Sequence, residues 1–402
     1  MVIDATLNLD ELVRDERDRF WINSRVYSDP AIFDLEMQRI FHRGWIYVAH
    51  ETEVPDGGDY KQTLLGRHPV IVTRSSDDGQ VRVFFNRCRH RGATVCQMEF
   101  GNANYFRCAY HGWVYKNDGG LVGVPFEEGY GEGFDKEKLG LVQVPRVDSY
   151  QGFVFASLSP DGPSLLEHLG KTLPYIDKFV AMAPDGLQVS TGTHKFSYDG
   201  NWKVAAENSV DGYHTNFVHA SYLEIVSRRS GRPIRMAGGR DAFRSWDLGN
   251  GHAALDIEPG GLNAPHGASR GDKIGPGFNL YIFPNLVLLF TQIRHLIPTA
   301  FNRTDVRLQA LHFKGATPEV NAQILREHEM FYSPGGLAAP DDWEMFVRLQ
   351  SGVRTDFEPW VRFDRGLGQE DPVESGAVFS GQTDESPQRA IYKQWKRVMA
   401  QA

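Results

Sequence analysis

Apolar residues near the N-terminus fall at helical spacing. Ile32, Phe33, Met37, Ile40 and Phe41 recur at three- and four-residue intervals. Asp29 followed by Pro30 has the cap-then-proline form of a helix start. The first forty or so residues therefore read as helical. From about residue 45 the period changes to two. Val70-Ile71-Val72-Thr73 and Val81-Arg82-Val83-Phe84-Phe85 are β-rich runs parted by the turn Asp77-Asp78-Gly79. Trp113-Val114-Tyr115 leads into Asn117-Asp118-Gly119-Gly120, a strong turn signal, and Gly152-Phe153-Val154-Phe155-Ala156 closes the block.

The pattern thus predicts three parts: helices over 1–44 that pack on the C-terminal domain, a small all-β domain over 45–158, and a mixed domain over 159–402. In the last, strands are expected at 188–198, 278–282, 286–293 and 305–313, and helices at 318–331, 341–350 and 387–399. Thr317-Pro318 and Ser386-Pro387 repeat the cap-then-proline form. The stretch 249–277, rich in Gly, Pro and polar residues, is too long for a plain connector. It is expected to be a lid over a site or a disordered surface loop.

Composition narrows the classes. A chain of 402 residues, 41 % apolar, can bury the cores of two or three domains. A formal net charge of −8 argues against a nucleic-acid partner. No apolar run reaches the length of a membrane span, and the acidic opening residues lack a signal-peptide core. The only cysteines are Cys88, Cys96 and Cys108, too few for a disulfide framework, so a reducing cytoplasm is expected. Cys96 reads as a small buried hydrophobe.

The other two cysteines carry the chemistry. Cys88-Arg89-His90 is followed, after seventeen intervening residues, by Cys108-Ala109-Tyr110-His111. Two thiolates and two imidazoles suit a [2Fe–2S] centre with both cysteines on one iron and both histidines on the other. A structural zinc would accept the same donors, but finger-type sites pair Cys with Cys and His with His. Here each clip mixes the two, lies among strands and is followed by a glycine. These features favour iron–sulfur.

A second constellation lies in Glu207-Asn208-Ser209-Val210-Asp211-Gly212-Tyr213-His214-Thr215-Asn216-Phe217-Val218-His219. Histidines five apart stand about 140° apart on an ideal helix, so they share a metal only if the helix is distorted, for instance by a π-bulge. Asp211 and His214, three apart, share a face. A facial triad of two histidines and one carboxylate needs a third ligand from elsewhere. Asp341-Asp342, after Pro334-Gly335-Gly336, is the candidate, and helix capping is the alternative use of that pair.

Together these motifs make the chain resemble, over essentially its whole length, the large (α) subunits of Rieske non-haem iron aromatic-ring-hydroxylating oxygenases. The resemblance implies an α+β fold: an all-β Rieske [2Fe–2S] domain inserted in a helix-grip-like catalytic domain, with an antiparallel sheet covered by helices. It implies that Cys88, His90, Cys108 and His111 hold the cluster, and that His214, His219 and Asp342 hold a mononuclear Fe(II). Asp211 matches the family's bridging aspartate, joining His214 to His111 of the partner subunit in a ring of three. Some members add a small β subunit. Asn208 is expected near the iron.

The Glu-Asn-Ser-Val-Asp-Gly-Tyr-His segment and Pro125-Phe126-Glu127-Glu128 resemble the branch acting on benzoate, anthranilate, salicylate or terephthalate. An aromatic carboxylate calls for a buried cation, with Arg294 and Arg303 as candidates. No Gly-x-Gly-x-x-Gly follows a strand, so electrons are expected from a separate NAD(P)H-dependent reductase, directly or through a ferredoxin. Dioxygen then hydroxylates the ring to a cis-dihydrodiol or a phenol. The rival readings are a Rieske monooxygenase or demethylase, a non-enzymatic Rieske electron carrier, and a zinc-stapled binding module.

Overall fold

A computed structural model describes residues 8–234, 243–263, 274–355 and 357–401, without the side chains of 190 and 191. The chain divides into two units, residues 41–165 and the flanking segments 1–40 with 166–402.

The smaller unit consists of three antiparallel sheets. One has four strands in the order Val81–Phe85, His68–Arg74, Asp59–Leu65 and Phe100–Asn102. A second joins Leu121–Gly123, Val114–Lys116 and Tyr105–Arg107. A third joins Arg146–Tyr150, Phe153–Ser157 and Ile46–His50. Inward-facing residues of the first two sheets, among them Ile71, Phe84, Phe106 and Tyr115, make one core with Trp113, and Cys88 and Cys108 belong to it.

The larger unit is built on a nine-stranded sheet, with every pairing antiparallel. Its order is Leu187–Tyr198, Arg303–Phe313, Gln292–Ala300, Leu286–Leu289, Phe278–Ile282, His252–Asp256, Arg244–Gly249, Val378–Gly381 and Asp371–Pro372. The helix Trp202–Ser209 packs on its middle strands, and Ser386–Met399 packs on Arg244–Gly249 and His252–Asp256. Leu286–Leu289 and His252–Asp256 are buried throughout, and the first reads as a continuous apolar run rather than an alternating one. The fold is thus α+β: an all-β unit whose residues interrupt, in sequence, those of a unit built on a helix-covered antiparallel sheet. No helix among the described residues is long and apolar enough to cross a membrane.

A buried polar node fixes the helix that carries the site. Glu36, fully buried, accepts hydrogen bonds from Lys203 Nζ at 2.6 Å, Trp395 Nε1 at 2.6 Å and Trp202 Nε1 at 2.9 Å. This ties Pro30–Glu36, Trp202–Ser209 and Ser386–Met399 together.

Four expectations are corrected. The N-terminal segment is not all helix: Val13–Glu16 and Arg19–Asn23 form a hairpin, with Trp360–Arg362 as third strand. Phe20 and Ile22 are buried on one face with Trp21 less so between them, and Val13 is buried opposite Ile22, a short alternation masked by the charged turn. The helix at Pro30–Glu36 forms as its cap predicts, with Asp29 accepting from the Ala31 N–H. The expected strand 286–293 is two strands, turning at Phe290 with φ of 50°, a turn that carries no glycine to announce it. Within 249–277, His252–Asp256 is a buried strand and Gly261–Asn263 a short turn, while 264–273 lie outside the described residues. The helix expected over 318–331 is α-helical over Pro318–Glu327 and widens to a π-turn at His328–Tyr332.

Candidate metal centres

The two cysteine clips fold as twins. In the first, the Cys88 N–H donates to Ala93 O at 2.7 Å and the Gly92 N–H to Cys88 O at 3.0 Å. In the second, the Cys108 N–H donates to Trp113 O at 2.8 Å and the Gly112 N–H to Cys108 O at 2.9 Å. Gly92 (φ 81°) and Gly112 (φ 74°), each four residues past its cysteine, take the left-handed turn that closes the loop. The thiols point inward and are buried, with no disulfide among the described residues, while the imidazoles lie nearer the surface.

The rings of His90 and His111 approach to 4.4 Å between centroids. Trp113 stacks on His90 at 5.1 Å, and Tyr115 lies with its hydroxyl 3.2 Å from Cys88 Sγ and accepts the Arg89 N–H at 2.9 Å. His90 Nδ1 is buried with no hydrogen-bond partner among the described residues. Burial, with His90 and Arg91 nearby, lowers the His111 pKa, which favours the neutral ring that ligates metal. Buried thiols beneath two adjacent imidazoles, one with an orphaned ring nitrogen, fit a [2Fe–2S] cluster with one sulfur-held and one histidine-held iron. In the sequence Trp113 and Tyr115 read as strand residues. Nothing in their spacing tells that they support the clips.

In the larger unit the helix Trp202–Ser209 ends just before Asp211. A four-residue helix, Thr215–Val218, then sits between His214 and His219, and Ala220–Ser230 follows. The backbone does not bulge within one helix, as a π-turn would require. It breaks at both histidines, and the rings converge with centroids 5.4 Å apart.

Asp342, in the first turn of Ala339–Gly352, completes the group. Its Oδ1 lies 3.6 Å from His214 Nε2 and 3.5 Å from His219 Nε2, and the three donor atoms all lie within 4.8 Å of one another. Asp341 points elsewhere. Its Oδ2 accepts from Ser221 Oγ at 3.4 Å and lies 3.9 Å from His219 Nδ1. Asn208 Nδ2 donates to Asp342 Oδ1 at 3.1 Å and lies 3.2 Å from His214 Nε2.

Asp211 Oδ2 accepts the His214 Nδ1–H at 3.1 Å, while Oδ1 takes the Tyr213 N–H at 2.6 Å. Burial works to lower the His214 pKa, but the hydrogen bond and charge of Asp211, helped by Asp342, prevail and raise it. His219 lacks that partner, and burial lowers it. Two imidazole nitrogens and one buried carboxylate oxygen, converging on one point, fit a facial-triad iron with open positions.

The group opens on a cavity walled by Leu289, Phe290, Phe331 and Tyr332. Arg294, on the strand Gln292–Ala300, enters the same cavity. It is 3 % exposed, and its Nε finds no acceptor among the described residues. Its guanidinium lies 5.2 Å from the Trp343 ring centroid, a cation–π contact. Arg303 is not in the cavity, which corrects its candidacy. It stands exposed at a hairpin end, donating to Asp199 Oδ1 at 3.0 Å and Ser197 Oγ at 2.6 Å. The aromatic wall from the His328–Tyr332 turn was legible only as a helical apolar stripe.

Residues 187–401 match the catalytic domain of the ring-hydroxylating α subunit, and residues 44–146 match the Rieske [2Fe–2S] domain. The chain belongs to the ring-hydroxylating oxygenase α-subunit family, whose members carry a Rieske cluster and a mononuclear iron. It is 36 % identical over 373 residues to the α subunit of toluate 1,2-dioxygenase from Pseudomonas putida, covering 86 % of this chain and 82 % of that one. It is 33 % identical over 377 residues to the large subunit of anthranilate 1,2-dioxygenase from Acinetobacter baylyi, covering 86 % and 80 %. Among solved structures, naphthalene 1,2-dioxygenase from Rhodococcus sp. superposes with a TM-score of 0.84 at 28 % identity, over 94 % of each chain.

Proposed function

We propose that this chain is the terminal oxygenase component of an aromatic-carboxylate dioxygenase. The observation that carries the reading is Arg294: a buried guanidinium in the cavity that holds His214, His219 and Asp342, its Nε without an acceptor among the described residues. A buried cation beside an apolar chamber is costly unless an anion arrives to pair with it. Two relatives named for toluate and anthranilate support the same substrate class.

Cys88, His90, Cys108 and His111 would hold the cluster, and His214, His219 and Asp342 the iron. Held there, the cluster would supply one-electron storage and the iron would supply the oxygen chemistry. The protein's own part follows from its geometry. Asp211 accepts the hydrogen bond of His214 Nδ1–H, which fixes the tautomer and leaves Nε2 as the ligand atom. Its side chain keeps 26 % exposure, an edge at which His111 of the partner subunit would complete the relay. Asn208 holds Asp342 Oδ1 toward the histidines. Phe290, Phe331 and Tyr332 line the chamber for the ring and exclude water, and the Arg294 fork takes the carboxylate. Arg303 takes no part.

The electrons would come from a separate NAD(P)H-dependent reductase, directly or through a ferredoxin, and the working assembly would be a ring of three chains in the cytoplasm. The reading is tested by oxygen uptake with a surrogate reductase, comparing benzoate-class acids with their neutral amides. Uptake is expected with acids and not with amides. Equal uptake with both would remove Arg294 from substrate recognition.

A further inference from the structure

We propose that His194, His328 and Glu329 form a second metal site, for a zinc-class divalent cation, separate from the triad at Asp342. His194 lies on the strand Leu187–Tyr198, and His328 with Glu329 opens the π-turn His328–Tyr332. One ligand atom from each residue lies within 4.8 Å of the other two. The two imidazoles stack at 5.2 Å between centroids, 23° from parallel. No residue is shared with the iron triad.

A surface ion pair accounts for only part of this. His194 Nε2–H donates to Glu329 Oε1 at 2.9 Å, and both side chains are partly exposed. That pair leaves His328 unexplained. His328 is 2 % exposed, and neither ring nitrogen has a hydrogen-bond partner among the described residues. Buried polar atoms of native proteins are almost always satisfied, so such a ring calls for a missing partner.

Two imidazoles and one carboxylate, with a fourth position open to water, are the donors a tetrahedral zinc-class ion accepts. Calcium and magnesium, which seek oxygen ligands, do not suit them. Zinc ligands stand about 3.3 Å apart, so the side chains need only shift slightly, His194 and Glu329 parting from 2.9 Å, to seat the ion. The metal takes the place of the proton that His194 shares with Glu329. The same π-turn carries Phe331 and Tyr332 into the catalytic cavity, so a metal here would tie that wall to the outer strand of the sheet.

The test uses the holoprotein, with cluster and iron in place, incubated with Zn²⁺, desalted and measured for zinc and iron by mass spectrometry. The expectation is about one zinc retained per chain with no loss of iron, falling to under a tenth of that in His194→Gln and Glu329→Gln. Both positions are partly exposed, so these variants should fold. Zinc should also raise the thermal midpoint of the wild-type protein and not of either variant. The site is refuted if the variants retain as much zinc as the wild type, if no zinc is retained, or if zinc enters only as iron leaves.

Discussion

Asp211 and Asp342 grip opposite edges of one imidazole: Asp211 Oδ2 lies 3.1 Å from His214 Nδ1, and Asp342 Oδ1 lies 3.6 Å from Nε2. The first carboxylate orients the ring and the second stands where it could share a metal with that ring. The two therefore have separable roles. Asp211→Asn keeps the shape but loses the negative charge that fixes the tautomer. It should leave cluster and iron content near wild type and slow turnover by roughly ten- to a hundredfold. Metal analysis beside steady-state kinetics checks this, and normal turnover would refute the role.

Asp342→Ala should release the catalytic iron while the visible absorbance of the cluster persists, because the two sites share no ligand. Asp341→Ala should keep the iron, since its carboxylate reaches Ser221 and not the ligand edges of the histidines. If Asp341→Ala loses iron and Asp342→Ala does not, the assignment within the pair is reversed.

Arg294→Met replaces the buried cation with an apolar side chain of similar length. KM for a benzoate-class acid should rise roughly ten- to a hundredfold, the worth of a charge-assisted hydrogen bond. Oxygen uptake with the neutral amide should stay level or improve. A uniform loss for acid and amide alike would point to a packing role.

Glu36 gathers three donors in a fully buried node. Burial lowers the Lys203 pKa while Glu36 holds it up. Glu36→Ala leaves Lys203 charged and without its carboxylate, and should cost about 3–5 kcal/mol in denaturant unfolding of the catalytic unit. A change under about 1 kcal/mol would show that the node is compensated elsewhere.

Burial raises Glu207 to about 7, although the Tyr392 and Tyr27 hydroxyls and Lys203 act to lower it. Its ordinary value is 4.5, so between 4.5 and about 7 the folded chain holds a proton that the unfolded chain has lost. This group's contribution therefore falls as pH rises through that window and stays low above it. Glu207→Gln should flatten the fall, as read by denaturant midpoints across the window. An unchanged slope would mean that Glu207 does not titrate there.

Local rules made much of this architecture legible. Asp29-Pro30 and Thr317-Pro318 cap helices as their chemistry demands, with Thr317 Oγ1 accepting the Val320 N–H. The Cys-x-His and Cys-x-x-His clips were legible because thiolate and imidazole at loop spacing have few other uses. The convergence of His214 and His219 was not, because a five-residue spacing on a regular helix separates them. Only the chain breaks at both ends of Thr215–Val218 bring them together. Arg294 and Arg303 were indistinguishable as types and diverge through register: Arg294 pairs with Leu308 in mid-sheet, whereas Arg303 pairs with Ala300 at the hairpin end. The charged run at residues 14–19 hid a hairpin, because strands of four and five residues carry too few apolar positions to show a period.

The central claim is that a triad-held iron and Arg294 share one cavity, so that dioxygen is delivered to the ring of an aromatic acid. Mass analysis of the product formed under isotopically labelled dioxygen, with a benzoate-class acid and a surrogate reductase, tests it most directly. Two labelled atoms on adjacent ring carbons of a product that keeps its carboxylate are predicted. A product carrying no label, or one whose new oxygen comes from water, would contradict it.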